Sequence, residues 1–181
     1  MRLRNISMIF ICCAAGAFAA SGSSSLSSAD KRFMNTAADD DMIEANLGQM
    51  AESHAAKADV KDFAKELADD HSKAYGELLQ LANTTGDKVP RGIDIRRDRA
   101  AVQLTHLKGD RFDRTFLNDE IASHEKAIAA FRREATHGSN PEVKAMASRM
   151  IPVLEKHLER ARQLAKSETV RTASSGTAKK S

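Results

Sequence analysis

From residue 57 to about residue 85 the apolar positions recur at helical spacing. Val60, Phe63, Leu67, His71, Ala74, Leu78 and Leu81 share one face, and Lys61, Lys65, Asp69 and Lys73 lie off it. A histidine therefore sits inside an apolar stripe. The pattern returns 83 positions later, where Val60, Phe63, Ala64, Leu67, Gln80, Leu81 and Ala82 correspond to Val143, Met146, Ala147, Met150, Gln163, Leu164 and Ala165. The second stripe, Met146, Met150, Val153, His157, Ala161 and Leu164, again carries a histidine, one helical turn beyond strict register. Such a spacing is too long for a solenoid repeat and predicts a duplicated helix pair.

Two further long helices precede these. Residues 29–55 place Phe33, Ala37, Glu44, Leu47 and Ala51 inward, behind a capping-box-like start at Ser27 and Asp30. Residues 110–137 place Leu117, Ile121, His124, Ile128, Phe131 and Ala135 inward. The last long helix begins at Asn140-Pro141 and is expected to end near Lys166, with Pro152 kinking or splitting it near Ile151. Short turns make each pair antiparallel. The connection from Gly86 to Lys108, with a short helix over residues 94–107, is long enough to cross the bundle. An all-α, ferritin-like four-helix bundle with a crossover connection carrying a short helix is the predicted fold, over residues 29–166.

Composition supports helix: aromatic residues make up 4% and tryptophan is absent. The net charge of +3 comes from the ends, since residues 30–165 hold 22 Lys/Arg against 24 Asp/Glu. With no basic face, nucleic acid is not the expected partner. Residues 1–20 have the form of a signal peptide: Arg2 and Arg4, an apolar run too short to span a bilayer, and a small-residue cleavage site at Ala17-Phe18-Ala19. Both cysteines, Cys12 and Cys13, lie within it, so disulfides and thiolate ligands are not expected in the mature chain. Ile11 stands where lipid attachment at Cys12 would want a small residue. Residues 21–28 read as a flexible leader and residues 167–181 as a disordered tail. The mature chain is expected in the periplasm or cell envelope, without an integral membrane span.

Glu44-x-x-Leu47-Gly48, Phe63-Ala64 with Asp70-His71, Gly109-x-x-Phe112-Asp113, His124-Glu125-Lys126 and Pro152-x-Leu154-x-x-His157 together resemble the domain of unknown function 4142 family. The resemblance spans residues 31–165. It implies a secreted bacterial protein, of a kind often labelled predicted outer-membrane protein, with a ferritin-like bundle and a link to stress tolerance. It implies no activity, substrate or cofactor. Nothing in the chain alternates as the strands of an outer-membrane barrel do.

Each long helix offers one ionisable residue to the interior: Glu44, His71, His124 and His157. Imidazoles and a carboxylate on facing helices suit a transition metal such as zinc, iron or copper, with Asp70 and Glu120 placed to hold the histidine tautomers. The Glu-x-x-His pairs of a di-iron site are missing, because Ala68, Ile121 and Leu154 precede the three histidines by three positions. An oxidoreductase is thereby disfavoured. The alternative for the same residues is a buried polar network that fixes helix register. His54, His106 and His137 read as solvated helix ends, Asp39-Asp40-Asp41 as a solvated face, and the methionines as core filler. The expected function is a non-enzymatic envelope protein, or else a periplasmic metal-binding protein using the interior histidines and Glu44.

Overall fold

The computed structural model describes residues 26–93 and 99–178. The expected signal peptide, residues 1–20, and most of the expected leader lie outside the described residues. Five helices follow in order: α1 (Ser28–His54), α2 (Ala58–Thr85), α3 (Arg99–Thr105), α4 (Asp110–His137) and α5 (Pro141–Ala178). No strand occurs among the described residues. The caps explain most of these limits. Ser27 Oγ accepts from Asp30 N–H while Asp30 accepts from Ser27 N–H, closing the capping box that starts α1. Gly86, at φ +70°, ends α2 in the left-handed conformation that glycine adopts without strain. Asn140 Oδ1 takes the N–H groups of Glu142 and Val143 at 2.9 and 3.1 Å, ahead of Pro141 at the first helical position.

Two differences from the sequence reading concern α5. The helix is continuous through Pro152 rather than split. Pro152 faces solvent, and so does Ser148, whose carbonyl loses its helical partner on the exposed side of the rod, where the loss is least costly. The helix also runs past Lys166 to Ala178, where composition predicts a tail. Glu168 is buried there, with its carboxylate 3.5 Å from Lys57 Nζ, so the extra turns are tied to the α1–α2 corner. Among the described residues the short connecting helix covers Arg99–Thr105, and residues 94–98 of the expected stretch lie outside them.

α1 packs along α2, and α4 along α5. Across the bundle, Glu66 meets Arg160 while Glu77 meets Arg149, so α2 and α5 run antiparallel. Phe33 meets Phe131 while His54 meets Phe112, so α1 and α4 run antiparallel as well. It follows that α2 and α4 are parallel on a diagonal, and the connection between them travels the length of the bundle. Tyr75 Oη anchors its first part by donating to Pro90 O at 2.8 Å. α3 then lies against α1 and α4, with Ala101 and Leu104 buried.

The interior is divided. One apolar cluster, around Met34, Leu78, Phe131, Val143 and Met146, fills one end. A second, around Leu47, Phe63, Leu67, Leu104, Phe112, Phe116 and Leu117, fills the other. Between them lies a layer of ionisable side chains.

Candidate metal centre

α2, α4 and α5 each send one imidazole to the middle layer. His71, His124 and His157 are 3, 2 and 1% exposed. Their ring centroids form a nearly equilateral triangle of 5.6, 5.5 and 5.3 Å sides. One potential ligand atom from each ring lies within 4.8 Å of the other two.

Each ring is held from outside by its own acceptor. His71 Nδ1–H donates to Asp41 Oδ1 at 2.8 Å. His124 Nδ1–H donates to the Glu120 main-chain carbonyl at 2.9 Å, with the Glu120 carboxylate 3.4 Å away. His157 Nε2–H donates to Asp70 Oδ2 at 3.0 Å. In neutral rings these bonds leave the inward nitrogens, His71 Nε2, His124 Nε2 and His157 Nδ1, as lone pairs. His124 Nε2 and His157 Nδ1 are 3.3 Å apart, and His71 Nε2 has no hydrogen-bond partner. Two acceptors at that distance repel unless a proton or a cation lies between them.

Burial lowers the His124 pKa to about 4, with the neighbouring imidazoles adding to it and Glu44 opposing, so this ring is neutral near pH 7. Burial likewise depresses His157, against the bond to Asp70. For His71 burial acts downward too, but the Asp41 bond and the charges of Glu44, Asp41 and Asp70 outweigh it and raise the pKa. Burial raises Asp41, with His71 acting against the shift.

Glu44 stands apart from the centre of the triangle. It groups with Glu120 and His124 on the far side of the His124 ring, and its Oε1 accepts from Ser123 Oγ at 3.0 Å. Burial, followed by the charge of Glu44, raises the Glu120 pKa well above its ordinary value. The other oxygens of the pair, Glu44 Oε2 and Glu120 Oε2, are buried without partners. The three histidines are thus brought together, Asp70 and Glu120 hold two of them from outside, and Glu44 faces Glu120.

Asp41 is the functional residue that sequence reasoning missed. It is 4% exposed rather than solvated. The signal was present, since Asp41 lies four residues after Ala37 and three before Glu44 on the inward stripe of α1. The run of three aspartates masked it.

Similar proteins add fold and family. The profile described as Domain of unknown function (DUF4142) matches residues 15–164. No curated protein matches. A crystal structure of a DUF305 fragment from Deinococcus radiodurans is similar, with a TM-score of 0.69 at 14% identity, covering 79% of this chain and 99% of that one. At that identity the likeness concerns the fold alone. No helix among the described residues is long and apolar enough to cross a membrane.

Proposed function

The chain belongs to the DUF4142 family, and on that footing we propose that it is an exported, non-enzymatic envelope protein whose interior imidazoles bind one transition metal ion. The observation that carries this reading is the pair His124 Nε2 and His157 Nδ1, two inward lone pairs 3.3 Å apart with both outer nitrogens already committed as donors. Two imidazole nitrogens sharing a tetrahedral ion lie roughly 3.3 Å apart, given metal–nitrogen bonds of about 2.0–2.1 Å. The orphaned His71 Nε2 supplies a third donor. Asp41, Glu120 and Asp70 supply what imidazole ligands need, an acceptor fixing tautomer and ring orientation. An all-imidazole set suits zinc, copper or iron in their divalent states. Carboxylates of a di-iron kind are absent from the triangle, so the proposal is a single-ion site and not a di-iron oxidase centre.

A second reading rests on the same outer bonds. With a proton in place of the ion, one imidazolium bridges its neighbour and the layer is a polar network that fixes helix register. The two readings part on ligand linkage. Zinc or copper at about 100 times its dissociation constant should stabilise the wild type by roughly 2.7 kcal/mol and raise its Tm, but leave His124→Ala unmoved. His124→Ala itself should cost on the order of 2–4 kcal/mol in either case, through a cavity and unpaired neighbours. Equal shifts in both proteins, or none in either, would leave the network reading in place.

A further inference from the structure

If the triangle takes up an ion, the ion must have a way in, and most directions are closed. The two apolar clusters block both ends of the bundle axis. The α1–α2 seam is closed by the approach of Gly48 to Ala64 and Ala68. Toward α1 and α4 the layer is backed by Asp41, Glu44 and Glu120, all buried. Among the described residues, one outer partner of the imidazoles reaches solvent: the Asp70 side chain is 39% exposed, against 6% for Asp41 and 2% for Glu120. Asp70 also lines an open cleft of about 210 Å³ between α2 and α5, together with Lys73, Glu77, Arg149, Met150 and Val153.

We propose that the α2–α5 cleft is the entry and exit route of the metal site, with Asp70 as the carboxylate that first holds the arriving cation. The inference rests on the metal-binding reading above. His157 is the residue through which the ion passes inward, because it belongs to two groups with metal-ligand spacing. Its ring closes the inner triangle with His71 and His124 and also meets Asp70 and Glu66 on the outer side. Glu66 is already engaged by Lys156 and Arg160. Glu77 is paired with Arg149 at 3.5 Å. Among the described residues Asp70 is held by the His157 ring and by no Lys or Arg, so it is the carboxylate of the cleft placed to exchange its bond for one to a cation. A rotation of the His157 ring then carries the approach from the outer side to the inner.

The test is the rate of Co2+ uptake and release by the full-length mature protein, followed by visible absorbance after rapid mixing and after a chelator chase. A route residue speeds passage in both directions, so Asp70→Asn should slow uptake and release alike, each at least tenfold. Asparagine keeps an oxygen acceptor for His157 while removing the charge. Lys73→Glu, an exposed change at the cleft mouth, should speed uptake severalfold at low salt and lose that gain as salt is raised. If Asp70 merely orients His157, Asp70→Asn leaves uptake unchanged and hastens release; that result overturns the route and leaves the site standing. Uptake insensitive to both variants overturns it too. A wild-type protein that takes up no Co2+ overturns the metal-binding reading and the route with it.

Discussion

A buried carboxyl distant from the imidazole layer gives the most direct titration at the scale of single residues. Burial, then the hydrogen bond and charge of Asp30, push Glu134 up to about 7. In the unfolded chain a glutamate titrates near 4.3, so between roughly pH 4.5 and 7 the folded state holds a proton that the unfolded state has released. Stability contributed by this group is therefore present at low pH and lost as pH rises through that window. The Tm of the wild type should fall relative to that of Glu134→Gln between pH 5 and pH 8, and the difference should level off above pH 8. Thermal melts of both proteins across that range check it, and His71 titrates in both, so the difference isolates Glu134. A wild type that gains on the variant with rising pH would have the sign reversed. Single residues of this kind were the least legible part of the sequence. Asp41, Asp113 and Glu134 are charged residues in charged neighbourhoods, and only their distant partners decide that they are buried. The three histidines were legible because each interrupts an apolar stripe, where an imidazole has to find a partner.

At the scale of elements, the closeness of α1 and α2 depends on one glycine. In an exposed helix, Gly→Ala gains about 1 kcal/mol of propensity. At Gly48 that gain is outweighed, because a methyl group would sit well inside contact with Ala64 O and 2.9 Å from Ala68 Cβ and N, both held in the rigid backbone of α2. Separating the helices to make room costs on the order of 1–3 kcal/mol or more, as overpacked cores do. Gly48→Ala should therefore lower stability by about 1–3 kcal/mol. Gly76→Ala, with nothing within 4 Å of the added carbon, should raise it by about 0.5–1 kcal/mol. Urea unfolding of the two variants gives both signs in one experiment. Helix limits were readable wherever the signal is local, as at Ser27, Gly86 and Asn140. The turn between α1 and α2 has no glycine or proline and could be placed only through its counterpart 83 positions on. Its stabilising contacts come from Asp113, which accepts from Ala56 N–H at 3.0 Å and Lys57 N–H at 3.1 Å. The continuation of α5 beyond Lys166 was hidden for the same reason, its anchor being Lys57.

The whole molecule is two copies of a helix pair, each closing the turn of the other. Asp30 and Asp113 stand 83 positions apart, as do Ala56 and Ser139. Asp30 Oδ1 accepts from Ser139 N–H at 2.9 Å in the α4–α5 turn, while Asp113 accepts from the α1–α2 turn. Even the histidines that end α1 and α4 match, His54 Nδ1 meeting Met50 O and His137 Nδ1 meeting Arg133 O. The duplication, read from apolar residues alone, thus extends to polar clamps at opposite ends of the bundle. Each aspartate satisfies two backbone donors, Ser27 and Ser139 for Asp30, Ala56 and Lys57 for Asp113. Orphaning two donors costs about 2–4 kcal/mol, on a scale of 1–3 kcal/mol for each buried group. Asp30→Ala should cost less than Asp113→Ala near pH 7, because removing Asp30 also removes the hydrogen bond and charge that add to burial in raising the Glu134 pKa. With the clamps at opposite ends and no shared partner, the double variant should lose the sum of the two single losses within about 0.5 kcal/mol. Equilibrium unfolding of the three variants measures that sum. A loss smaller than either single value would mean that the two pairs do not hold each other independently, and would overturn the reciprocal-clamp account of the fold.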